Sequence, residues 1–85
     1  MVYRFIFSHN ATKEFEKLPK DVKERINKAF DRFKINPKRH AEQMVGEPYF
    51  KFKVGDYRLI TPLEWKDDVI PIIKVGHRKN IYKKF

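Results

Sequence analysis

Lys51, Lys53 and Arg58 are spaced so that three cations could meet on one phosphate group. In the run Phe50-Lys51-Phe52-Lys53-Val54 successive side chains of a strand point opposite ways, so the two phenylalanines and the valine share one face and the two lysines the other. Gly55-Asp56 is a two-residue hairpin connection, with glycine at the first central position as a type II′ turn prefers. Counting back from that turn sets Val54 opposite Tyr57, Lys53 opposite Arg58, Phe52 opposite Leu59 and Lys51 opposite Ile60. Like charges directly across a strand pair cost a few tenths to about 1 kcal/mol. A bound phosphate would relieve that repulsion, with the arginine able to take its oxygens in a bidentate fork. The same alternation also describes an ordinary solvated sheet face.

A second concentration of charge lies in the tail. From Lys74 to Phe85 there are Lys74, Arg78, Lys79, Lys83 and Lys84 with no acid, interleaved with His77, Tyr82 and Phe85. Such a tail acts as an electrostatic arm, and Tyr82 and Phe85 add rings on which bases could stack. Twenty Lys and Arg against eleven Asp and Glu give a net charge of +9, which implies a polyanionic or acidic partner, nucleic acid first among them.

Other chemistries find no support. Without cysteine there is neither thiolate catalysis nor a disulfide. His9, His40 and His77 have no ligand-like spacing to one another or to carboxylates, so neither a metal nor another cofactor is expected. Asp67 and Asp68 follow Trp65 where a turn is due, and aspartate suits turns.

These residues need a scaffold. Val2 to Phe7 reads as a strand, with Ser8 as the cap of a following helix. Ala11, Phe15 and Leu18 give that helix one apolar face. Pro19 suits the first turn of a second helix, in which Val22, Ile26, Ala29, Phe30 and Phe33 repeat at helical spacing up to about Ile35, before Asn36-Pro37 ends it. Lys38 to Pro48 reads as a loop or a single helical turn and is assigned no chemistry. Tyr49 to Val54, Tyr57 to Leu63 and Val69 to Val75 read as a three-stranded antiparallel meander, disturbed near Pro62 and Pro71, where a backbone donor is missing. The second hairpin leaves either Val75 or His77 opposite Arg58. The expected fold class is α+β, with the helical hairpin on one face of the sheet.

The 85 residues are expected to form a single domain, residues 1–85, with Phe, Tyr and Trp supplying the bulk of a small core. With no apolar run of membrane-spanning length and no signal-like start, a cytoplasmic location is expected.

The chain as a whole resembles the RelE toxins of the RelE/ParE superfamily, which belong to toxin–antitoxin pairs. The resemblance is carried by Phe50-Lys51-Phe52-Lys53, by Gly55-Asp56-Tyr57-Arg58-Leu59, by Val75-Gly76-His77-Arg78 and by Tyr82. These look like the functional residues of ribosome-dependent messenger RNA nucleases. The resemblance implies a metal-independent endoribonuclease that cuts messenger RNA in the ribosomal decoding site through attack of a ribose 2′-hydroxyl on the neighbouring phosphate. Lys53, Arg58, Arg78 and Tyr82 would be its catalytic residues, and Lys51, His77 and Lys79 would bind substrate. Lys53 would help remove the hydroxyl proton, Arg58 would stabilise charge on the phosphorane-like transition state, Arg78 would contact the scissile phosphate or the leaving oxygen, Tyr82 would stack on or hydrogen-bond to the nucleotide or act in proton transfer, and His77 is a candidate acid. A RelB-like antitoxin that wraps the toxin is the implied protein partner, beside ribosome and messenger. ParE-like inhibitors of a protein target such as DNA gyrase share the fold and the Tyr-Arg motif, and a non-catalytic RNA-binding module is the third reading. One difficulty attends the nuclease: free lysine, arginine and tyrosine titrate at about 10 or above, far from what general acid and base work needs.

Overall fold

Ser8 is extended and its hydroxyl accepts the Ala11 N–H at 3.1 Å, which opens helix α1 (His9–Glu16) directly behind strand β1 (Arg4–Phe7). The computed structural model describes residues 2–82. Leu18 lies just past the end of α1 but still packs against the core. Pro19 caps helix α2 (Lys20–Phe33) from outside rather than sitting in its first turn. The apolar stripe Val22, Ile26, Ala29 and Phe33 is the buried face of α2. A single turn, α3 (Pro37–His40), follows, with Pro37 at its start.

Strands β3 (Tyr49–Val54) and β4 (Tyr57–Pro62) pair in the register counted from the sequence, Val54 with Tyr57 through Lys51 with Ile60. Gly55 at φ 58° supplies the left-handed backbone that the turn needs. The expected third strand of the meander divides into β5 (Val69–Ile72) and β6 (Lys74–His77). The break falls at Ile73, whose N–H donates to the Ile60 carbonyl at 2.8 Å. Before the break β5 runs parallel to β1, and after it β6 runs antiparallel to β4.

A second feature departs from the expected three-strand meander. Glu42 and Gln43 form a short strand, β2, antiparallel to β3, which makes the main sheet four-stranded in the order β2-β3-β4-β6. The chain is delivered there by α3, where the Lys38 ammonium lies 4.5 Å from the Phe50 ring and 4.7 Å from the Trp65 ring. Two residues cannot announce a strand by periodicity.

The helices cover one face of the sheet. Ala11, Val22, Ile26, Ala29 and Phe33 pack against Phe52, Val54, Leu59, Ile70, Ile72 and Val75. Aromatic rings tie the layers together: Phe33 stacks on Phe52 at 4.9 Å, and Phe5 stacks on Phe30 at 4.2 Å. Glu14 of α1 secures the outer edge of β6, its Oε1 accepting the Val75 N–H at 3.0 Å while Oε2 lies 3.6 Å from Lys74 Nζ. The last turn, α4 (Arg78–Ile81), is on the opposite face of the sheet, where Ile81 packs with Met44 and Ile60. Among the described residues no helix is long and apolar enough to cross a membrane.

Candidate functional site

The β3–β4 hairpin puts Lys51, Lys53 and Arg58 on the sheet face away from the helical hairpin, as the alternation requires. Lys53 and Arg58 are direct cross-strand partners. Arg58 is 8% exposed, and its Nη1 donates to the carbonyls of Gly55 at 2.8 Å and Tyr57 at 2.9 Å. The guanidinium therefore belongs to the hairpin turn, and its stem is held rigid. Opposite Arg58 on β6 stands Gly76, neither Val75 nor His77, because the interruption at Ile73 sets the register of β6 on β4. A glycine there leaves the space above Arg58 free of a side chain from β6.

A phosphate is not needed to relieve the Lys53–Arg58 repulsion. Glu42, which faces Lys51 across β2 and β3, sets its Oε2 2.9 Å from Lys53 Nζ. The hydrogen bond from Lys53 holds the Glu42 carboxyl below its ordinary value of 4.5; desolvation opposes it, and the charges of Lys53, Lys51 and Arg58 each add a lesser lowering. Lys53 is the cation in direct contact with the carboxylate, and Lys51 and Arg58 act on it only through their charge.

The tail returns over the patch. The Arg78 N–H donates to the Asp56 carbonyl at 2.8 Å, and its Nε lies 3.5 Å from Asp56 Oδ1, which anchors the start of α4 at the hairpin turn. Tyr82, 40% exposed, ends α4 with its ring 5.4 Å from Lys51 Nζ. Lys51, Lys53, Arg58 and Tyr82 therefore gather on one side of the sheet, with Arg78 at the turn.

His77 and Lys79 do not join them. The His77 ring packs edge-on against Tyr57 at 5.3 Å, and Nδ1 caps α4 by accepting the Lys79 N–H at 3.1 Å. That acceptor role needs an unprotonated Nδ1 and gives the histidine a structural task. The Lys79 side chain is on the exposed side of α4. Lys83, Lys84 and Phe85 lie outside the described residues. Asp67 and Asp68 make the expected turn, both left-handed at φ 55° and 58°.

Glu42 is the functional candidate that the sequence reading passed over. A signal was present in Glu42-Gln43-Met44, where an acid two positions from an apolar residue fits one strand face with a wet and a dry end. It is too short to separate from the loop around it.

A four-stranded sheet with a helical hairpin on one face and clustered cations on the other defines a small basic α+β protein. Residues 5–82 match the model of the family described as the ParE toxin of the type II toxin–antitoxin system, parDE, and the chain belongs to that family. Among solved structures it is similar to the RelBE2 toxin–antitoxin complex of Mycobacterium tuberculosis, with 25% identity, a TM-score of 0.80, and 92% of this chain and 100% of that chain covered. The isolated RelE toxin of E. coli is similar at 29% identity and a TM-score of 0.74, covering 96% of this chain and 93% of that chain. So is the archaeal RelE–RelB complex of Pyrococcus horikoshii, at 28% identity and a TM-score of 0.71, covering 94% and 99%. No curated protein matches the sequence significantly.

Proposed function

We propose that this toxin is an endoribonuclease that cuts messenger RNA held in the ribosomal decoding site. The observation that carries the reading is the gathering of Lys51, Lys53 and Arg58 on the open face of the sheet, with the Glu42 carboxylate 2.9 Å from Lys53. In the proposed reaction a ribose 2′-oxygen attacks the adjacent phosphorus and the bond to the 5′-oxygen of the next nucleotide breaks. A 2′,3′-cyclic phosphate is left, and the departing 5′-oxygen takes a proton from water to become a 5′-hydroxyl. Arg58 and Lys51 stabilise the charge that gathers on the phosphoryl oxygens, in an orientation fixed beforehand by the turn carbonyls that hold Arg58. The 2′-hydroxyl proton goes to the Glu42 carboxylate, which the ion pair with Lys53 sets at the edge of the patch. Lys53 holds Glu42 in place and shares the phosphate. Arg78, released from Asp56, reaches the scissile phosphate, and Tyr82 stacks on a base beside Lys51. All of this needs charge placement rather than a metal.

A RelB-like antitoxin is the proposed restraint on this activity, since an acidic chain suits a +9 surface and RelE toxins of similar structure are found in complexes with RelB. The proposed site of action is the cytoplasm, where translating ribosomes are. A second reading, inhibition of a protein target such as DNA gyrase, is favoured by the ParE description of the matching family. The deciding experiment adds the toxin to ribosomes programmed with a defined messenger and maps new 5′ ends, with the Lys53→Ala and Glu42→Gln variants alongside. Cleavage within the decoding-site codon that is lost in the variants supports the nuclease; intact messenger with growth still arrested in cells points to the protein target.

A further inference from the structure

The cationic face of the sheet carries a small core of its own. Met44, Ile60 and Ile81 are buried there together, with Tyr49 and Ile73 packed against them, apart from the main core beneath the helices. Each of the three buried residues comes from a different segment. Met44 follows β2 and shares a strand face with Glu42 two positions earlier, while Ile81 ends α4 directly before Tyr82. A two-residue strand and a four-residue helix have too few internal hydrogen bonds to hold themselves in place, so tertiary burial must seat them.

Gly76 makes the seat. A Cβ at that position would lie 3.2 Å from Ile81 Cδ1. The backbone of Gly76 is not left-handed, so it is the closeness of Ile81, and not an unusual conformation, that calls for glycine. We infer that Ile81 is a positioning residue for Tyr82, seated on Gly76, and that the same small core positions Glu42 through Met44. What this positioning serves rests on the nuclease reading; the packing does not.

The test compares Gly76→Ala with the double variant Gly76→Ala/Ile81→Val in the full chain. The alanine drives a methyl against Cδ1, and the valine removes that atom. Single-turnover cleavage on programmed ribosomes should fall by roughly several-fold in Gly76→Ala with toxin affinity for the ribosome little changed, because the added methyl must push Ile81, and Tyr82 with it, by a few tenths of an ångström. The double variant should recover most of the loss. In parallel, the ring current of Tyr82 on the Lys51 ε-methylene protons, read by NMR, should be lost in the single and return in the double variant. The amide of Phe52 should exchange equally slowly in all three, which excludes general unfolding. An unchanged ring current in Gly76→Ala, or a double variant no better than the single one, overturns the inference. If the wild-type chain cuts nothing, the nuclease reading fails, and the NMR comparison still decides the positioning.

Discussion

Lys53 Nζ stands 2.9 Å from Glu42 Oε2 while Arg58 faces the same lysine across the hairpin, so this cross-strand pair of like charges has a carboxylate set against it. Both partners of the ion pair are about half exposed, at 51% and 50%, and solvent and salt screen an exposed pair of this kind, so it adds little to stability. Under the proposed nuclease reading its importance is chemical, because a carboxylate oxygen brings a hydrogen-bond acceptor to a patch otherwise lined by lysine and arginine donors.

Replacing Glu42 by glutamine keeps the shape and removes the charge. RNA carrying a 2′-deoxy block at the cut should then bind more tightly, because an anion no longer competes for Lys53. Cleavage of normal RNA should drop by about 100-fold, the usual contribution of a general base. Binding and single-turnover rates measured on the same preparation separate the two effects. Equal losses in both would show that Glu42 only holds the lysine.

The Glu42 carboxyl should titrate below 4.5, and in Lys53→Met it should rise, because the hydrogen bond that lowers it most is gone. Since the folded-state value is the depressed one, the stabilisation from this pair is present above the unfolded value and is lost as the pH falls through the folded value. Carbon-13 NMR of the side-chain carboxyl across the acid range measures the direction. A Lys53→Met protein whose Glu42 titrates as in the wild type would break the link.

Arg58 has two roles that can be told apart. Its bonds to the Gly55 and Tyr57 carbonyls close the hairpin turn, and hydrogen bonds from a charged donor are worth about 1.5 to 3 kcal/mol. Arg58→Lys keeps the charge but not the fork, so it should lower both Tm and cleavage. Lys53→Ala, at an exposed position, should lower cleavage with Tm almost unchanged. Thermal melts beside cleavage assays give the contrast; an Arg58→Lys protein as stable as the wild type would mean that the turn does not need the guanidinium.

The hairpin was legible because Gly55 fixes a two-residue turn and a turn fixes register, so Lys53 opposite Arg58 could be counted from the sequence. Helix α2 was legible from the spacing of Val22, Ile26, Ala29 and Phe33. The register of β6 was not, since it depends on a break at Ile73 that no residue type announces, and so Gly76 facing Arg58 emerges only in three dimensions. Glu42 was missed for a related reason: β2 exists through its pairing with β3 and its approach through α3, neither of which is a local property. His77 was readable as a neighbour of Arg78, but its capping of α4 depends on which way the ring turns.

The turn at Asp67-Asp68 offers a stability test that leaves the patch alone. Both residues are left-handed, at φ 55° and 58°, the geometry of a type I′ turn, with the Val69 N–H closing onto the Lys66 carbonyl at 3.0 Å. The Asp68 carbonyl also accepts the Arg4 N–H at 2.9 Å, so this turn joins β1 to β5. A side chain in that region is tolerated by aspartate at some cost, while glycine occupies it freely. Asp68→Gly should therefore stabilise the fold by about 0.5 to 1 kcal/mol, a rise in Tm of about 4 °C for a domain of this size. Asp68→Ala, with a Cβ but no polar group to bond locally, should lower Tm instead. Both variants should cut RNA at the wild-type rate, because the turn lies away from Lys51, Lys53 and Arg58. If glycine and alanine shift Tm in the same direction, the side chain of Asp68 rather than its backbone angle controls this corner.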